Sequence, residues 1–219
     1  MLKPTKILTK TQLLFLNSFG NSYLAKSFYL TGGTALCGFY IPYRKSEDLD
    51  FFSESEFNIR NIIIWIRSVK NILKYKSFDL QTSFNRNLIF MEFANETLKT
   101  EFTYFPFPRL NSQNYNSVAI DSLRDIALNK LFTIYQNPRM RDYMDLFKII
   151  KNQKFDFHTL RIDAKTKFDW DIEPIQLGTQ LMKVTGKKDM PILVEKFDSK
   201  VMENFFKETA KLLGGEILE

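Results

Sequence analysis

Residues 28–52, FYLTGGTALCGFYIPYRKSEDLDFF, contain the two features that decide the fold of this chain. The first is an apolar run at 28–30, typical of a short buried strand, which ends at Gly32 and Gly33. Glycine lacks a Cβ, so the backbone can turn sharply here and bring its N–H groups close to a ligand. Thr34 then opens a predicted helix whose first amides and positive dipole end suit a phosphate group.

The second feature is a predicted strand at 48–52 with two acidic residues. Side chains alternate along a strand, so Asp48 and Asp50 point to one face while Leu49 and Phe51 point into the core. Two neighbouring carboxylates repel each other unless a cation lies between them. Magnesium, which takes carboxylate and phosphate oxygens as ligands, is the cation predicted for this strand.

The composition predicts a folded, soluble protein, because 44% of the 219 residues are hydrophobic and 22 are Phe. Cys37 is the one cysteine and His158 the one histidine of the chain, which excludes an intramolecular disulfide and a Cys/His zinc cluster. We expect Cys37 in the core and His158 at the surface or in packing. No apolar run approaches the roughly 20 residues of a membrane span, so we expect a cytoplasmic protein that does not use a membrane. The formal charge of +6 permits an RNA partner, but it fits an ordinary basic surface at least as well.

Helical spacing of apolar residues predicts two helices around this region. One lies at 11–19 with Thr11 as its N-cap, and one extends from Asn58, a good N-cap, to Leu73. Three strand-like runs follow, and the short Asn-containing breaks between them suit hairpin turns, so the simplest arrangement is an antiparallel meander. The runs lie at 77–84, 88–93 and 98–104.

The loop at 106–116, with two prolines and several Asn and Ser residues, predicts a boundary between residues 1–108 and 109–219. Beyond it the pattern is helical, and Asp121 or Ser122 is the predicted cap of the first helix. The helical runs lie at 123–134, 141–150 and 201–213.

The order of strand, Gly-Gly, helix and Asp-Leu-Asp strand resembles the nucleotidyltransferase fold of the DNA polymerase beta superfamily. Within it, a longer set of residues resembles the AbiEii/AbiGii toxin family over about 29–150. This set consists of Thr31–Leu36, Arg44, Ser46, 48–52, Lys130, Arg141, Asp142, Asp145 and Leu146. The resemblance implies an α+β fold, in which a polymerase-beta-like core with a mixed sheet flanked by helices is followed by a helical C-terminal region.

The resemblance also implies an enzyme, a nucleotidyltransferase that moves a nucleotidyl group from a nucleoside triphosphate to an acceptor hydroxyl. Two Mg²⁺ ions would be held by Asp48, Asp50 and a third carboxylate, for which Glu101 and Glu92 are the candidates. Glu101 is preferred, because the third acid of the family stands in the last strand before a proline-bearing loop.

Further roles follow from the same resemblance. Gly32, Gly33 and Thr34 would cradle the triphosphate through backbone N–H groups and the Thr34 hydroxyl. Lys130, contributed by the C-terminal region, would neutralise the β- and γ-phosphates, and Arg141 would bind phosphate or pair with an acid.

Asp145, also from the C-terminal region, would orient Lys130 or act near the acceptor, and Asp142 would support it. Arg44 and Ser46 would brace the loop before the metal-binding strand.

The chain departs from the pattern at two positions. Tyr43 stands where family members commonly have His, and Gly33 stands where the wider superfamily often has Ser. Neither change removes a predicted metal ligand, so we expect an active enzyme.

Three functions are compatible with these residues. The first is a toxin that modifies tRNA or another cellular macromolecule and is neutralised by a separately encoded antitoxin protein. The second is a transferase acting on a small molecule such as an antibiotic, and the third is an inactive nucleotide-binding regulatory protein. Retention of Asp48, Asp50 and Lys130 favours an active enzyme, whereas the base of the nucleotide, the acceptor, the antitoxin and the oligomeric state stay open.

Overall fold

The computed structural model describes residues 1–215, and the chain divides into two compact units. The N-terminal unit comprises Met1–Pro42 and Ser46–Ser122, and the C-terminal unit comprises Tyr43–Lys45 and the chain from Leu123 onward. The chain therefore leaves the N-terminal unit for three residues shortly before the acidic strand.

The N-terminal unit is built on a mixed sheet that has seven strands within the described residues. Its spatial order is β3-β4-β5-β2-β1-β7-β6, with parallel pairing of β2 to β5 and of β1 to β7, and antiparallel pairing elsewhere. The predicted meander of three antiparallel strands is confirmed as β3, β4 and β5. The strands are β1 Tyr29–Thr31, β2 Leu49–Ser53, β3 Ser77–Ser83, β4 Arg86–Glu92, β5 Thr97–Tyr104, β6 Ser112–Tyr115 and β7 Val118–Asp121.

An aromatic core fixes the orientation of the acidic strand. Phe51 is fully buried, with its ring centroid 4.4 Å from that of Phe19 and 5.2 Å from that of Phe102. Leu49 is buried in the same way. Because side chains alternate along β2, this burial leaves Asp50 on the opposite face, where it is partly exposed. The predicted alternation is confirmed.

Four helices of the N-terminal unit fall within the described residues, namely α1 Lys10–Gly20, α2 Gly32–Phe39, α3 Ile59–Ser68 and α4 Lys70–Leu73. The N-cap of α1 is Thr9, so the prediction of Thr11 was wrong. Thr9 and Gln12 form a reciprocal capping box, which satisfies two backbone donors at once and places the helix start two residues earlier. Asn58 caps α3 as predicted, but the helix predicted to reach Leu73 breaks at Val69.

The hairpin of β6 and β7 lies where the sequence predicted a loop and a boundary at 108. Its turn contains Asn116, which has a φ of 51°. The short polar strand β6 is mostly exposed, so its composition resembles that of a loop. Asp121 ends β7 rather than capping the next helix, and Ser122 directly precedes that helix.

The C-terminal unit is helical, and its described helices are α5 Leu123–Gln136, α6 Met140–Gln153, α7 Phe157–Phe168, α8 Pro174–Met182 and α9 Ser199–Gly215. Tyr143 of α6 packs on Phe206 of α9, with ring centroids 5.4 Å apart. A buried ion pair joins Lys167 Nζ to Asp125 Oδ1 over 2.8 Å. Helices α7 and α8 were not located from the sequence.

The segment Tyr43–Lys45 is held in the C-terminal unit by backbone hydrogen bonds. Arg44 forms an isolated antiparallel bridge with Leu193, and the N–H of Lys45 donates to the carbonyl of Ile192 over 2.8 Å. This pairing fixes the position of the Arg44 side chain.

Cys37 is fully buried and His158 is exposed, as expected. Within residues 1–215, none of the helices combines the length and the apolar character that crossing a membrane requires.

Candidate active site

The sheet register brings two of the predicted acidic residues side by side. Asp50 in β2 is paired directly with Glu101 in β5, and Asp48 precedes Asp50 by two residues. Glu92 lies at the far end of the β4–β5 hairpin, where it pairs with Thr97 and accepts a hydrogen bond from its hydroxyl over 2.9 Å. The third acid beside Asp50 is therefore Glu101 and not Glu92.

Two cationic side chains form ion pairs with two of the three carboxylates on this acidic face. Lys99 Nζ lies 2.6 Å from Asp48 Oδ2, and Arg86 donates two hydrogen bonds to Glu101, of 2.8 Å and 2.7 Å. Thr103 donates a third hydrogen bond to Glu101 over 2.7 Å. Burial raises the pKa of Glu101, but the hydrogen bonds from Arg86 and Thr103 and the charges of Arg86 and Lys99 outweigh it. The pKa of Glu101 is therefore lowered, and the carboxylate is ionised at neutral pH.

Within residues 1–215, no three side chains of His, Cys, Asp or Glu stand ready to hold a metal ion. The carboxylate oxygens of Asp48, Asp50 and Glu101 are nevertheless the donors that Mg²⁺ prefers. In this arrangement Lys99 and Arg86 supply the positive charge. The oxygen chemistry of these donors suits a divalent cation, and in this structure Lys99 and Arg86 occupy Asp48 and Glu101.

The glycine turn and the acidic strand are in direct contact. Gly32 has a φ of +70°, and a Cβ at this position would lie 2.5 Å from Asp50 Oδ2. The side chain of the N-cap residue Thr31 makes no cap hydrogen bond to α2 and instead donates its hydroxyl to Asp121 over 2.6 Å. The backbone N–H groups of this turn thus begin beside the carboxylate of Asp50.

The side chain of Thr34 holds the loop that precedes β2. It is fully buried, donates to the backbone carbonyl of Asp48, and has its Oγ1 2.8 Å from Ser46 Oγ. Ser46 therefore braces this loop, and the Thr34 hydroxyl, which was predicted to meet a phosphate, is engaged within the protein.

Gln12 is a positioning residue that the sequence analysis missed. Its side-chain nitrogen donates to the carbonyls of Ser46 and Glu47, each over 3.0 Å, and the residue is almost fully buried. The Thr9-x-x-Gln12 spacing of a capping box was the available signal.

A second polar cluster lies in the C-terminal unit around Lys130. Lys130 Nζ is 2.7 Å from Asp142 Oδ1 and 2.7 Å from Asp145 Oδ2. Asp145 also accepts two hydrogen bonds of 2.8 Å from Arg44 and one of 2.6 Å from the Tyr43 hydroxyl. All five residues are buried.

The charges of this cluster balance, and each group stays ionised. Burial lowers the pKa of Lys130, but the charges of Asp145 and Asp142 outweigh it, so the pKa is raised. Burial raises the pKa of both carboxyls. For Asp142 the charge of Lys130 outweighs burial, and for Asp145 the charges of Lys130 and Arg44 together outweigh it. Both pKa values are therefore lowered. Lys130, predicted to neutralise phosphates, is already paired.

Tyr43, which departs from the family pattern, makes a hydrogen bond of the kind that a His at this position could make. The phenol donates a hydrogen bond to Asp145, as an imidazole N–H could. Arg44 was predicted to brace the loop before β2. Its Nη1 donates to the carbonyl of Lys45 in that loop over 2.9 Å, and its guanidinium also pairs with Asp145.

Arg141 differs from its neighbours in the motif. It lies in the first turn of α6, is partly exposed, and makes no ion pair within the described residues. Among the motif residues on α5 and α6, it is the cation that forms no ion pair with the described residues.

Known proteins resemble this chain in sequence and in fold. The profile of the family described as nucleotidyl transferase AbiEii toxin, type IV toxin-antitoxin system, matches residues 14–209. An uncharacterised protein of Aquifex aeolicus (strain VF5) is 29% identical over 153 residues, which are 66% of this chain and 68% of the relative.

Two crystal structures from Helicobacter pylori share the fold. JHP933 matches with a TM-score of 0.59 and 19% identity over 94% of this chain and 90% of its own. A second chain, proposed to be a nucleotidyltransferase, matches with a TM-score of 0.58 and 20% identity over 96% and 95%. The predicted fold class, a mixed sheet flanked by helices, is confirmed. Since the family profile covers most of the chain, this protein belongs to the AbiEii nucleotidyltransferase toxin family and is a nucleotidyltransferase.

Proposed function

We propose that this protein transfers a nucleotidyl group from a nucleoside triphosphate to a hydroxyl of tRNA or of another cellular macromolecule. The acceptor hydroxyl loses its proton to solvent as its oxygen attacks the α-phosphorus. A P–O bond to the acceptor forms, and pyrophosphate leaves with the electrons of the broken P–O bond. The reaction would take place in the cytoplasm, where triphosphates and RNA are abundant.

The observation that carries this proposal is the pairing of Asp50 with Glu101 beside the glycine turn. Asp48, Asp50 and Glu101 present oxygen donors on one face, and Gly32 starts a helix against that face. A phosphate bound at the first turn of α2 would meet backbone N–H groups and the positive end of the helix dipole. This arrangement supports the proposal that one substrate group meets both the backbone N–H groups of α2 and the carboxylates.

Asp48, Asp50 and Glu101 are the residues we propose as ligands of Mg²⁺. When bound, such ions would neutralise charge on the triphosphate and lower the pKa of the acceptor hydroxyl. Gly32, Gly33 and Thr34 would then contribute backbone N–H groups, and the hydroxyl of Thr34 would keep its contact with the Asp48 carbonyl.

Arg141 is the side chain of the helical motif that we propose for phosphate binding. Lys130 and Arg44 are bound to Asp142 and Asp145, so using either cation on a substrate would leave a buried carboxylate unpaired. We assign these four residues to positioning α6, which carries Arg141 in its first turn.

The toxin role is proposed from the family, whose description names a type IV toxin-antitoxin system. In such a system a second protein, the antitoxin, counteracts the toxin. The acceptor is accordingly sought among molecules that the cell needs for growth, with tRNA as the first choice.

The test uses α-labelled forms of the four ribonucleoside triphosphates with Mg²⁺ and total tRNA. Label from an α-phosphate, with none from the γ-phosphate, is expected to stay on RNA after denaturing electrophoresis. The double variant Asp48→Asn/Asp50→Asn, checked for a native circular dichroism spectrum, should give no label.

Each alternative result rejects one part of the proposal. Label on protein or on a small-molecule fraction instead of RNA would reject the acceptor and keep the transfer. Label in none of these fractions, with a folded protein and all four triphosphates, would reject nucleotidyl transfer to cellular acceptors.

A further inference from the structure

Helices α3 and α4 and the edge strand β3 enclose a groove of about 640 Å³ that the proposed reaction does not use. Three of its lining residues are the cations Arg67, Lys70 and Lys76, and all three are exposed. We call this feature the basic groove.

The charge of this region is strongly one-sided. Residues 59–78, IRNIIIWIRSVKNILKYKSF, contain five cationic residues and no Asp or Glu, and Asp79, the next residue, is the one acidic residue among the described residues that line the groove. All five side chains are exposed, and none forms an ion pair within residues 1–215. The five are Arg60, Arg67, Lys70, Lys74 and Lys76.

Clustered cations that lack acidic partners repel one another, and this repulsion opposes collecting them on one surface. A chain of phosphates would remove this repulsion and release its own condensed counterions. Lys70 is held over the groove, with its Nζ 3.0 Å from the carbonyl of Lys76 and 5.5 Å from the centre of the Tyr75 ring. Its charge is thus fixed at the groove rather than spread over solvent.

We propose that the basic groove docks the phosphate backbone of the RNA acceptor, which deepens the proposed function and rests on its choice of an RNA acceptor. A second copy of this chain is a poor occupant, because its own groove would bring the same unpaired positive charge. A phosphate backbone supplies one negative charge per nucleotide and matches the groove along its length.

The sheet register relates the basic groove to the acidic face. Asp79, which lines the groove, pairs with Phe90, and Phe90 pairs with Lys99, the partner of Asp48. Three strand spacings separate β3 from β2, which is about 14 Å across the sheet. A stacked single strand covers this length with about four nucleotides. The helices that line the groove pack on the face of the sheet opposite Asp50, because Trp65 of α3 contacts Phe19 and Phe19 contacts Phe51. RNA docked in the groove would therefore pass around the β3 edge to bring a single-stranded end to the acidic face.

The test measures binding of total tRNA by filter retention, without nucleotide and with EDTA, so that it does not depend on catalysis. Arg67→Glu/Lys76→Glu is expected to weaken binding about tenfold or more. The matched control is Lys196→Glu/Lys200→Glu, which makes the same charge change at exposed lysines outside the groove and should bind nearly as the wild type does. Unchanged thermal unfolding of both variants verifies that they are folded.

A second readout separates docking from a general loss of charge. The milder variant Arg67→Gln/Lys76→Gln should reduce the slope of log Kd against log salt concentration by about 1.4 to 1.8, the value for two lost phosphate contacts. The control Lys196→Gln/Lys200→Gln should keep the wild-type slope.

Two results would overturn the inference. The first is that the groove variants bind tRNA with the same affinity and the same salt slope as the wild type. The other is groove-dependent binding of poly-glutamate that is tighter than that of tRNA, which would identify an acidic protein as the occupant. Failure of the proposed function is a different outcome, because tRNA would then bind through the groove and remain unlabelled by the α-phosphate.

Discussion

Gly32 and Asp50 occupy adjoining space, since a Cβ on residue 32 would lie 2.5 Å from Oδ2 of Asp50. The position also has a φ of +70°, which L side chains rarely adopt. Two independent constraints therefore require glycine where the first helix after β1 meets the acidic strand.

Gly32→Ala is expected to displace the Asp50 carboxylate and to reduce nucleotidyl transfer by about a hundredfold or more, the scale of a 1 Å misplacement. Gly178→Ala in the interior of α8 is the matched control, because a Cβ there would lie 3.6 Å from its nearest neighbour, the Ala210 carbonyl oxygen. Steady-state rates and thermal unfolding of both variants make the comparison. Full activity of Gly32→Ala would show that the carboxylate position does not matter.

Arg86 competes with divalent cations for Glu101. Its guanidinium makes two hydrogen bonds to this carboxylate and is also stabilised by the charge of Asp50. Arg86→Met should therefore bind Mn²⁺ more tightly than the wild type, measured by calorimetry without nucleotide. Arg139→Met, which removes an equally exposed arginine from another unit, should not change the affinity. Weaker Mn²⁺ binding by Arg86→Met would mean that the arginine organises the ligands instead of competing with them.

The central part of the fold follows from local sequence, because strand alternation and glycine chemistry act within a few residues. The alternation of apolar and acidic residues in the sequence predicted that Leu49 and Phe51 are buried and that Asp48 and Asp50 share the other face, and both apolar residues are buried. Glu101 was preferred over Glu92 from the family pattern, and the register of β5 against β2 supplies the independent physical reason.

Other features depend on partners far along the chain and could not be predicted from local pattern. The bond from Gln12 to Ser46 spans 34 residues, and the contact of Arg44 with Asp145 spans 101. Lys130 has the sequence context of a solvated helix residue, whereas two carboxylates from the next helix hold it in the interior.

Lys130→Met is expected to destabilise the protein by about 3 kcal/mol, because it leaves Asp142 and Asp145 buried without their shared cation. Urea unfolding gives the free energy, and Lys200→Met at an exposed position of α9 should change it by less than about 0.5 kcal/mol. If both variants unfold at the same urea concentration, the cluster does not stabilise the fold.

Acid should weaken the protein through the same cluster. The folded pKa values of Asp142 and Asp145 are lowered, so the folded state binds fewer protons than the unfolded state near their ordinary pKa of about 3.9. The stabilisation is therefore present above about pH 4 and is lost as the pH falls toward the lowered values.

The measurement is the urea midpoint between pH 6 and pH 3. In Asp145→Asn the midpoint should start lower and fall less steeply with acid than in the wild type. An identical slope in both proteins would place the acid sensitivity elsewhere.

The raised pKa of Lys130 makes stability fall toward high pH instead of low pH. Its stabilising charge is present below the ordinary lysine pKa of about 10.4 and is lost only as the pH rises through the higher folded value. Unfolding of the wild type should therefore become easier above about pH 10.5, and Lys130→Met should lack this component.

The most direct test of the account compares transfer of an α-labelled nucleotide by the wild type, Asp50→Asn and Glu92→Gln under identical conditions. Asp50 stands in the acidic face and Glu92 at the far end of the hairpin, while both changes remove one carboxylate charge. We expect Asp50→Asn to lose transfer by about a hundredfold or more and Glu92→Gln to stay within about threefold of the wild type. Transfer by a folded Asp50→Asn at the wild-type rate would contradict it.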